Sequence, residues 1–438
     1  MNFLNKVYTI TEHSGFVRGG LPFGDYQPLK ESTFDALESF ILANHSASDT
    51  EAVELLSLSV RRGIGKIITA RNYVGLITMK NGIVIEILPK IYGDVNLVDI
   101  KQIFLEMLRT LKDVSFKEFN VSNLKTDRMN LLEIFISMFV SGVAVLVKQG
   151  LKSSYNIVED NERFFKGKLN VPQNIKFNYV NKERFFVRYD EWSINRPENR
   201  LLKATLNFLR KQSSDSRNRR NISRLLPFFE NVNASSDYEA DFSKCVKDRS
   251  LSHYQKALSW CKVFLRGNSF TAFAGSEVAV ALLFPMEKVF ESFIATKLRR
   301  YTSPDIELRT QDAQYSLFDR PIKAFSLRPD IVLTYRGAII VMDTKWKILN
   351  ENVRNFGISQ ADMYQMYAYS KKYGASKITM IYPKQSNLRE TDISFFSDDG
   401  VDVEVYFFDL LQPDKSIAAL VKFHTATAIC PVCSGTAG

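Results

Sequence analysis

The chain has 438 residues and 45% apolar content, enough for two or three domains with sizeable cores. Four cysteines in so long a chain exclude a disulfide framework, and residues 1–10 lack the basic segment and apolar core of a secretion signal. The net charge of +10 is unevenly placed: residues 1–150 carry 16 Lys and Arg against 16 Asp and Glu, residues 285–438 carry 19 against 18, and residues 151–284 carry 23 against 14. The excess in the middle reads either as a stripe for phosphate contacts or as an ordinary solvated surface.

Residues 1–50 mix turn signals (Gly19-Gly20, Pro22, Gly24) with a short helix over 32–43, and 46–50 read as a polar linker. Residues 53–89 are β-rich, with strands expected over 53–60, 66–70, 73–79 and 83–88. Asn81-Gly82 between the last two is a type I′ hairpin signal. A meander this small buries little area alone, so a partner or a neighbouring helix is expected over one face. Arg61-Arg62-Gly63-Ile64-Gly65-Lys66 is a basic, glycine-interrupted connector, either an extended finger for a partner or a mobile basic loop. The Walker A pattern G-x-x-x-x-G-K-[ST] is absent, so no nucleotide site is expected.

Helices are expected over 97–111 and 129–148. The second holds the most apolar stretch, but Glu133 leaves only residues 134–147 uncharged, short of the roughly 20 needed to span a bilayer. A buried helix in a soluble, cytoplasmic protein with no membrane contact is the expectation. Residues 163–171 contain Gly167-Lys168-Leu169, 184–188 begin a strand, and 194–209 form a helix with an apolar face. Residues 212–224 are a polar, basic run that either tracks a DNA backbone or is only solvated. Residues 227–250 look irregular, and 251–264 form an amphipathic helix.

Over 286–301, Met286, Val289, Phe290, Phe293, Ile294, Leu298 and Tyr301 recur at helical spacing, with Glu287 and Glu291 at the edge of the stripe. A strand over 306–309 follows. Two apolar runs, 331–333 and 338–342, then flank Tyr335-Arg336-Gly337 as a hairpin. Asp330 opens its first strand, and Asp343-Thr344-Lys345 closes the second. Alternation puts Asp343 and Lys345 on one face and points Thr344 away, while antiparallel pairing brings Asp330 beside Asp343.

Unpaired buried charge is costly, so two acids and an amine at a sheet margin need a reason. A divalent metal is one: Mg²⁺ takes one or two carboxylates, several waters and a substrate phosphate. It lowers the pKa of a bound water and polarises a phosphoryl oxygen, and Lys345 beside it orients the attacking water. The competing reading is a structural ion pair at a strand end. A helix over 359–373 follows, with Ser359 as N-cap, Asp362 three residues on and Gly374 past its end. A strand over 378–382 comes next. Near the end, Cys430-Pro431-Val432-Cys433 is half a zinc pattern with only His424 nearby; a structural zinc takes four ligands, so a frayed tail is expected.

The order helix, three strands, helix, strand, with Pro329-Asp330 and Asp343-Thr344-Lys345 on the second and third strands, resembles the PD-(D/E)xK nuclease superfamily. Gln365-Met366-Tyr367-Ala368-Tyr369 is similar to the Q-x-x-x-Y element of some members. Further stretches join these in order: Asn72-Tyr73-Val74-Gly75-Leu76, Ile85-Glu86-Ile87-Leu88-Pro89-Lys90-Ile91, Phe165-Lys166-Gly167-Lys168-Leu169, Asn199-Arg200-Leu201-Leu202-Lys203 and Val289-Phe290-Glu291-Ser292-Phe293. Over residues 50–385 the ordered set resembles the McrC family, the nuclease subunit of McrBC-type 5-methylcytosine-specific restriction systems. The segments before and after that range do not map onto the family.

The resemblance implies an α+β multidomain chain. A β-rich and helical partner-docking domain is expected over 1–150, a helical, basic, DNA-contacting middle region over 151–284, and a PD-(D/E)xK restriction-endonuclease-like α/β core over 285–438, ending in the cysteine tail. It implies a type IV endonuclease that cuts double-stranded DNA with Mg²⁺ when assembled with a hexameric AAA+ GTPase. The chain would stimulate that GTPase, modified-base recognition would belong to the partner, and two nuclease domains would pair in the complex. Asp330, Asp343 and Lys345 match the catalytic triad. Glu291 matches a helix acid that completes the metal shell, with the Thr344 carbonyl as a further ligand. Gln365 orients that shell or a phosphate, and Asp362 is explained by its cap position. Two other readings stand beside this one. The first is a GTPase-activating interaction subunit with a secondary nuclease role, which the intact D…DxK disfavours. The second is a free-standing DNA nuclease, which the charge-balanced, β-rich N-terminal region disfavours.

Overall fold

The structure, a computed structural model, describes residues 6–45, 56–79, 81–91, 95–111, 129–245, 252–266, 278–375, 377–385, 388 and 392–427. The linker expected at 46–50 and the Cys430–Cys433 tail lie outside the described residues. The fold is α+β and multidomain. Its division differs from the boundaries expected at 150 and 284: one unit is Met129–Asn268, and the other joins Lys6–Arg128 to Ser269–Gly438. The reason is a long-range strand pair. Val278–Pro285 pairs antiparallel with Tyr73–Met79 and runs directly into the helix Met286–Tyr301, so N-terminal sheet and C-terminal core share one body.

In that larger unit a four-stranded sheet has the order Val7–Thr11, Val84–Leu88, Tyr73–Met79, Val278–Pro285. Gly75 is required there: its φ is +137°, and a Cβ would lie 1.9 Å from the Leu282 carbonyl oxygen of the neighbouring strand. A second sheet runs Tyr26–Leu29, Gly15–Arg18, Gly65–Ala70, Leu56–Arg61. The basic connector is the exposed tip of a hairpin, which excludes an open loop and is compatible with a finger. Arg61 pairs with Gly65, and the segment is a tight hairpin turn. A hairpin turn forms at Asn81-Gly82, but not as the expected type I′: the Gly82 N–H donates to the Met79 carbonyl, and of the two residues Gly82 alone has a positive φ, 82°.

The C-terminal core is a six-stranded mixed sheet in the order Ile306–Thr310, Ile331–Tyr335, Ala338–Thr344, Lys377–Pro383, Asp402–Phe408, Ser394–Phe396. The hairpin has the expected register, from Ile331 opposite Met342 to Tyr335 opposite Ala338. Helices cover both faces. Val332, Val341, Ile378 and Met380 pack with Met366 and Tyr369 of the helix Gln360–Tyr373. Across the sheet, Phe290 and Phe293 of Met286–Tyr301 meet Trp346 and Phe408 edge-on. The two last strands and the helix Pro413–Thr427 extend the core past the elements expected from sequence.

The unit Met129–Asn268 is mainly helical. Leu131–Gln149 is, among the described residues, the one helix long and apolar enough to cross a membrane. Here it is a core helix, with Leu131, Ile134, Phe135, Met138 and Phe139 buried. Its charge is satisfied within the fold: the buried Glu133 carboxylate accepts from the Ser213 and Ser214 hydroxyls, the Ser214 and Asp215 N–H groups and the Asn218 amide. That answers the burial cost of an anion with five donors. The run 212–224 is more than a solvated charge stretch. It forms the helix Ser216–Leu225, capped by Asp215, with Ile222 and Leu225 buried. The irregular segment 227–250 also contains a helix, Tyr238–Lys244.

A three-stranded sheet completes this unit, with Phe185–Ser193 between Ser154–Glu162 and Lys168–Leu169. No residue of Ser154–Glu162 is buried, and in Phe185–Ser193 only Val187 is.

Candidate active site

The hairpin brings its expected groups together at one end of the sheet. Asp343 and Lys345 are joined by an ion pair of 2.7 Å and lie on the side of the helix Gln360–Tyr373. That helix supplies two more groups a turn apart on one face. Asp362 reaches the Lys345 ammonium at 3.2 Å, and the Gln365 Oε1 accepts from it at 3.1 Å. Gln365 is itself oriented, because its Nε2 donates to the Tyr369 hydroxyl at 2.8 Å. Gln365 therefore steadies the amine and not an acid.

Asp330 departs from the expected geometry. It precedes the first paired residue of its strand, so alternation does not bind it, and its carboxylate turns to Thr344. Oδ2 accepts from the Thr344 N–H at 2.8 Å and from the Thr344 hydroxyl at 2.7 Å. Thr344 thus does not point away from the cluster; its side chain anchors one acid. Glu291, on the opposite helix, is tied to Asp330 through Gln311, whose Nε2 donates to Glu291 Oε1 and Asp330 Oδ1.

The acids Glu291, Asp330, Asp343 and Asp362, with Thr344, Lys345 and Gln365, line a cleft of about 360 Å³ together with Glu287, Lys288, Arg328, Trp346 and Lys347. A larger cavity of about 950 Å³ lies beside Asp402–Phe408 and Pro413–Thr427. Its Lys384 and Asp409 pair with each other at 3.0 Å, so its size does not mark chemistry.

The electrostatics separate acids from amine. Burial, and then Glu291, push Asp330 up to about 6. Burial, and then Asp330, push Asp343 up to about 7 despite Lys345. For Lys345, burial works to lower the ammonium, but Asp343 and Asp362 outweigh it and hold it above its ordinary value. Burial also works to raise Asp362, yet Lys347, Ser359 and Lys345 keep it below the usual carboxylate range. The acids hold more negative charge than one lysine neutralises. Among the described residues no three His, Cys, Asp or Glu side chains form a ready metal cage. Mg²⁺ does not need one, since one or two carboxylates with waters and a phosphate suffice. The residues present fit that ion.

Three participants escaped the sequence reading. Asp362 caps nothing with its carboxylate; Ser359 caps the helix by accepting from the Asp362 N–H, while the carboxylate pairs with Lys345 and, at 2.7 Å, with Lys347. Its place one turn before Gln365 was the available signal. Gln311 follows a strand and carries no pattern. Glu12 lies beneath the cleft, 1% exposed, accepting from Trp346 Nε1 at 3.0 Å and from the Lys90 N–H at 3.1 Å.

The sequence of residues 68–383 matches a family model described as the McrBC 5-methylcytosine restriction system component. No curated protein matches. The fold is similar to a chain of the refined half-complex from the tetradecameric assembly of Thermococcus gammatolerans McrB AAA+ hexamers with bound McrC. The TM-score is 0.70 at 20% identity, covering 96% of this chain and 100% of that one. It is also similar to a chain of the cryo-EM structure of the Thermococcus gammatolerans McrBC complex, with a TM-score of 0.53 at 20% identity, over 68% of this chain and 88% of that one.

Proposed function

The chain belongs to the family of McrBC 5-methylcytosine restriction system components, and from that premise we propose that it is the endonuclease subunit of a modification-dependent restriction complex, hydrolysing DNA phosphodiesters with Mg²⁺. One observation carries the reading: at the end of the hairpin a half-buried Asp330 is raised by burial and Glu291, and a buried Asp343 is raised by burial and Asp330, with Lys345 paired to the second. Structural ion pairs balance their charge; this cluster does not.

Asp330 and Asp343, with Glu291 and the Thr344 carbonyl, would hold the ion. When bound, Mg²⁺ supplies charge compensation, a more acidic water and a polarised phosphoryl oxygen. The rest is done by the chain. Thr344 fixes Asp330 through its N–H and hydroxyl. The Lys345 ammonium, kept charged by Asp343 and Asp362, orients the attacking water and offsets charge on the phosphate. Gln365, locked by Tyr369, holds that ammonium in place. Lys288, Arg328 and Lys347 at the cleft suit flanking phosphates.

The proposed partner is an AAA+ GTPase hexamer, whose GTP turnover this chain stimulates. The Thermococcus chain of similar fold was solved in an assembly of McrB AAA+ hexamers with bound McrC. The ribbon of Ser154–Glu162 and Phe185–Ser193 supports docking through Met129–Asn268, where the sequence had suggested residues 1–150. Tyr155, Ile157, Phe164, Phe165, Ile175 and Trp192 are all exposed on this ribbon and the segment beside it. A sheet that buries so little needs another surface to cover it. The same exposure favours, as a second reading, an interaction subunit whose nuclease role is secondary, and it weighs against a free-standing nuclease.

The test is Asp343→Ala in the assembled complex with double-stranded DNA. Cleavage is expected to vanish while partner GTP turnover stays. Undiminished cleavage would remove the assignment; lost GTP turnover would show that the two roles are not separable.

A further inference from the structure

Gln311 follows the strand Ile306–Thr310 with φ 51°, a left-handed backbone uncommon outside glycine and asparagine. Three hydrogen bonds keep it there. Its N–H donates to the Asp330 carbonyl at 3.0 Å. Its Nε2 donates to Glu291 Oε1 at 2.8 Å and to Asp330 Oδ1 at 3.0 Å. One nitrogen therefore sits against two carboxylate oxygens from different elements, a helix and a hairpin. The other oxygen of Asp330 is already spent on Thr344. Glu291 and Asp330 repel, and Gln311 is a neutral group that touches both.

We propose that Gln311 is a positioning residue: its amide holds Glu291 against Asp330 so that a divalent cation meets both acids already in place. This rests on the reading of the cleft as a Mg²⁺-dependent nuclease site, and adds to it a residue outside the acids, the lysine and Gln365. A neutral donor suits the task. It offsets part of the repulsion in the metal-free chain, yet brings no charge to compete with the cation. Outer groups that orient metal ligands commonly set affinity in this way. The unusual backbone fits too, since Gln311 must turn back over Asp330 to present N–H and side chain to the same residue.

Calorimetric titration of the full chain with MgCl₂, at a temperature where each variant is folded, decides the matter. Gln311→Ala is expected to weaken Mg²⁺ binding about tenfold or more. A merely structural Gln311 would lower the unfolding temperature and leave the affinity of the folded chain unmoved. If Gln311→Ala does not fold, Gln311→Asn, one methylene shorter, carries the same expectation. Affinity within about twofold of the unaltered chain overturns the proposal. Asp343→Ala is titrated in parallel. If it binds Mg²⁺ undiminished, or if the unaltered chain binds none, the nuclease reading itself falls. If Asp343→Ala loses binding and Gln311→Ala does not, only the role of Gln311 falls.

Discussion

The cleft at the end of the hairpin and the ribbon of Ser154–Glu162 with Phe185–Ser193 depart from ordinary burial in opposite directions. In the cleft, carboxylates are withdrawn from water and set against each other. On the ribbon, aromatic side chains are left in water, as with Tyr155 and Trp192, whose rings meet edge to face at 4.7 Å. Buried like charge and exposed aromatic surface are both unfavourable for an isolated chain. Under the proposed function each becomes favourable when something is added: a cation and a phosphate in one place, an apolar surface in the other. The comparison teaches that the two regions answer to different partners, and that each can be broken without the other.

The largest effect is expected in the cleft. Asp343→Ala removes an acid proposed to hold Mg²⁺ and frees Lys345 from its 2.7 Å partner. Cleavage by the assembled complex should fall by more than about 10³-fold. Stability should change far less, because removing one of two crowded acids also relieves repulsion on Asp330. Rates of supercoiled-DNA cutting, with unfolding curves alongside, check both halves. A cluster that is only architectural would show the reverse, a large loss of stability with cleavage intact.

Much of the cleft was legible because its chemistry is local. Asp343 and Lys345 share a face by alternation, and the register of the hairpin brings Asp330 to the same end, while the anchoring of Asp330 by Thr344 was not visible from alternation. Gln365 was visible one helix later. What stayed hidden depends on long-range pairing. Gln311 reaches Asp330 because Thr310 pairs with Ile331. Glu12 reaches Trp346 because the N-terminal sheet and the C-terminal core form one unit, joined by Val278–Pro285 against Tyr73–Met79. The strands Val7–Thr11, Gly15–Arg18 and Tyr26–Leu29 are too short to show a period, so turn residues dominated the reading of that stretch. The ribbon was missed for another reason. The charge excess of residues 151–284 drew attention to lysines and arginines, while the distinctive feature is which aromatic residues lack cover.

Glu12 sharpens the comparison, being a buried acid near the cleft with no proposed ligand. Burial pushes it up to about 7, against the hydrogen bonds from Lys90 and Trp346 that lower it. A carboxyl raised in the folded chain is held protonated there, so its contribution to stability is full below the unfolded value near 4.5 and is lost as pH rises towards 7. The loss is on the order of 3 kcal/mol at about 1.4 kcal/mol per pH unit. Glu12→Gln stays neutral and should flatten the stability–pH curve between the unfolded value near 4.5 and the folded value of about 7, as read by denaturant unfolding. An unaltered slope would mean that Glu12 is ionised in the fold.

The smallest effect on the chain, and the most selective, belongs to the ribbon. Trp192 is exposed and meets Tyr155 edge to face across the strand pair, so Trp192→Ala removes little that the isolated chain has buried. Stability should shift by less than about 0.5 kcal/mol. Assembly with the hexameric GTPase should weaken by about 2 kcal/mol, roughly thirtyfold, because an exposed tryptophan covered by a partner is the usual kind of interface anchor. DNA cutting should fall only as far as assembly does, and saturating partner should restore it. That recovery distinguishes the two regions, since no excess of partner restores a cleft without Asp343. If Trp192→Ala unfolds the chain instead, the ribbon is held from within, and its exposure says nothing about a partner.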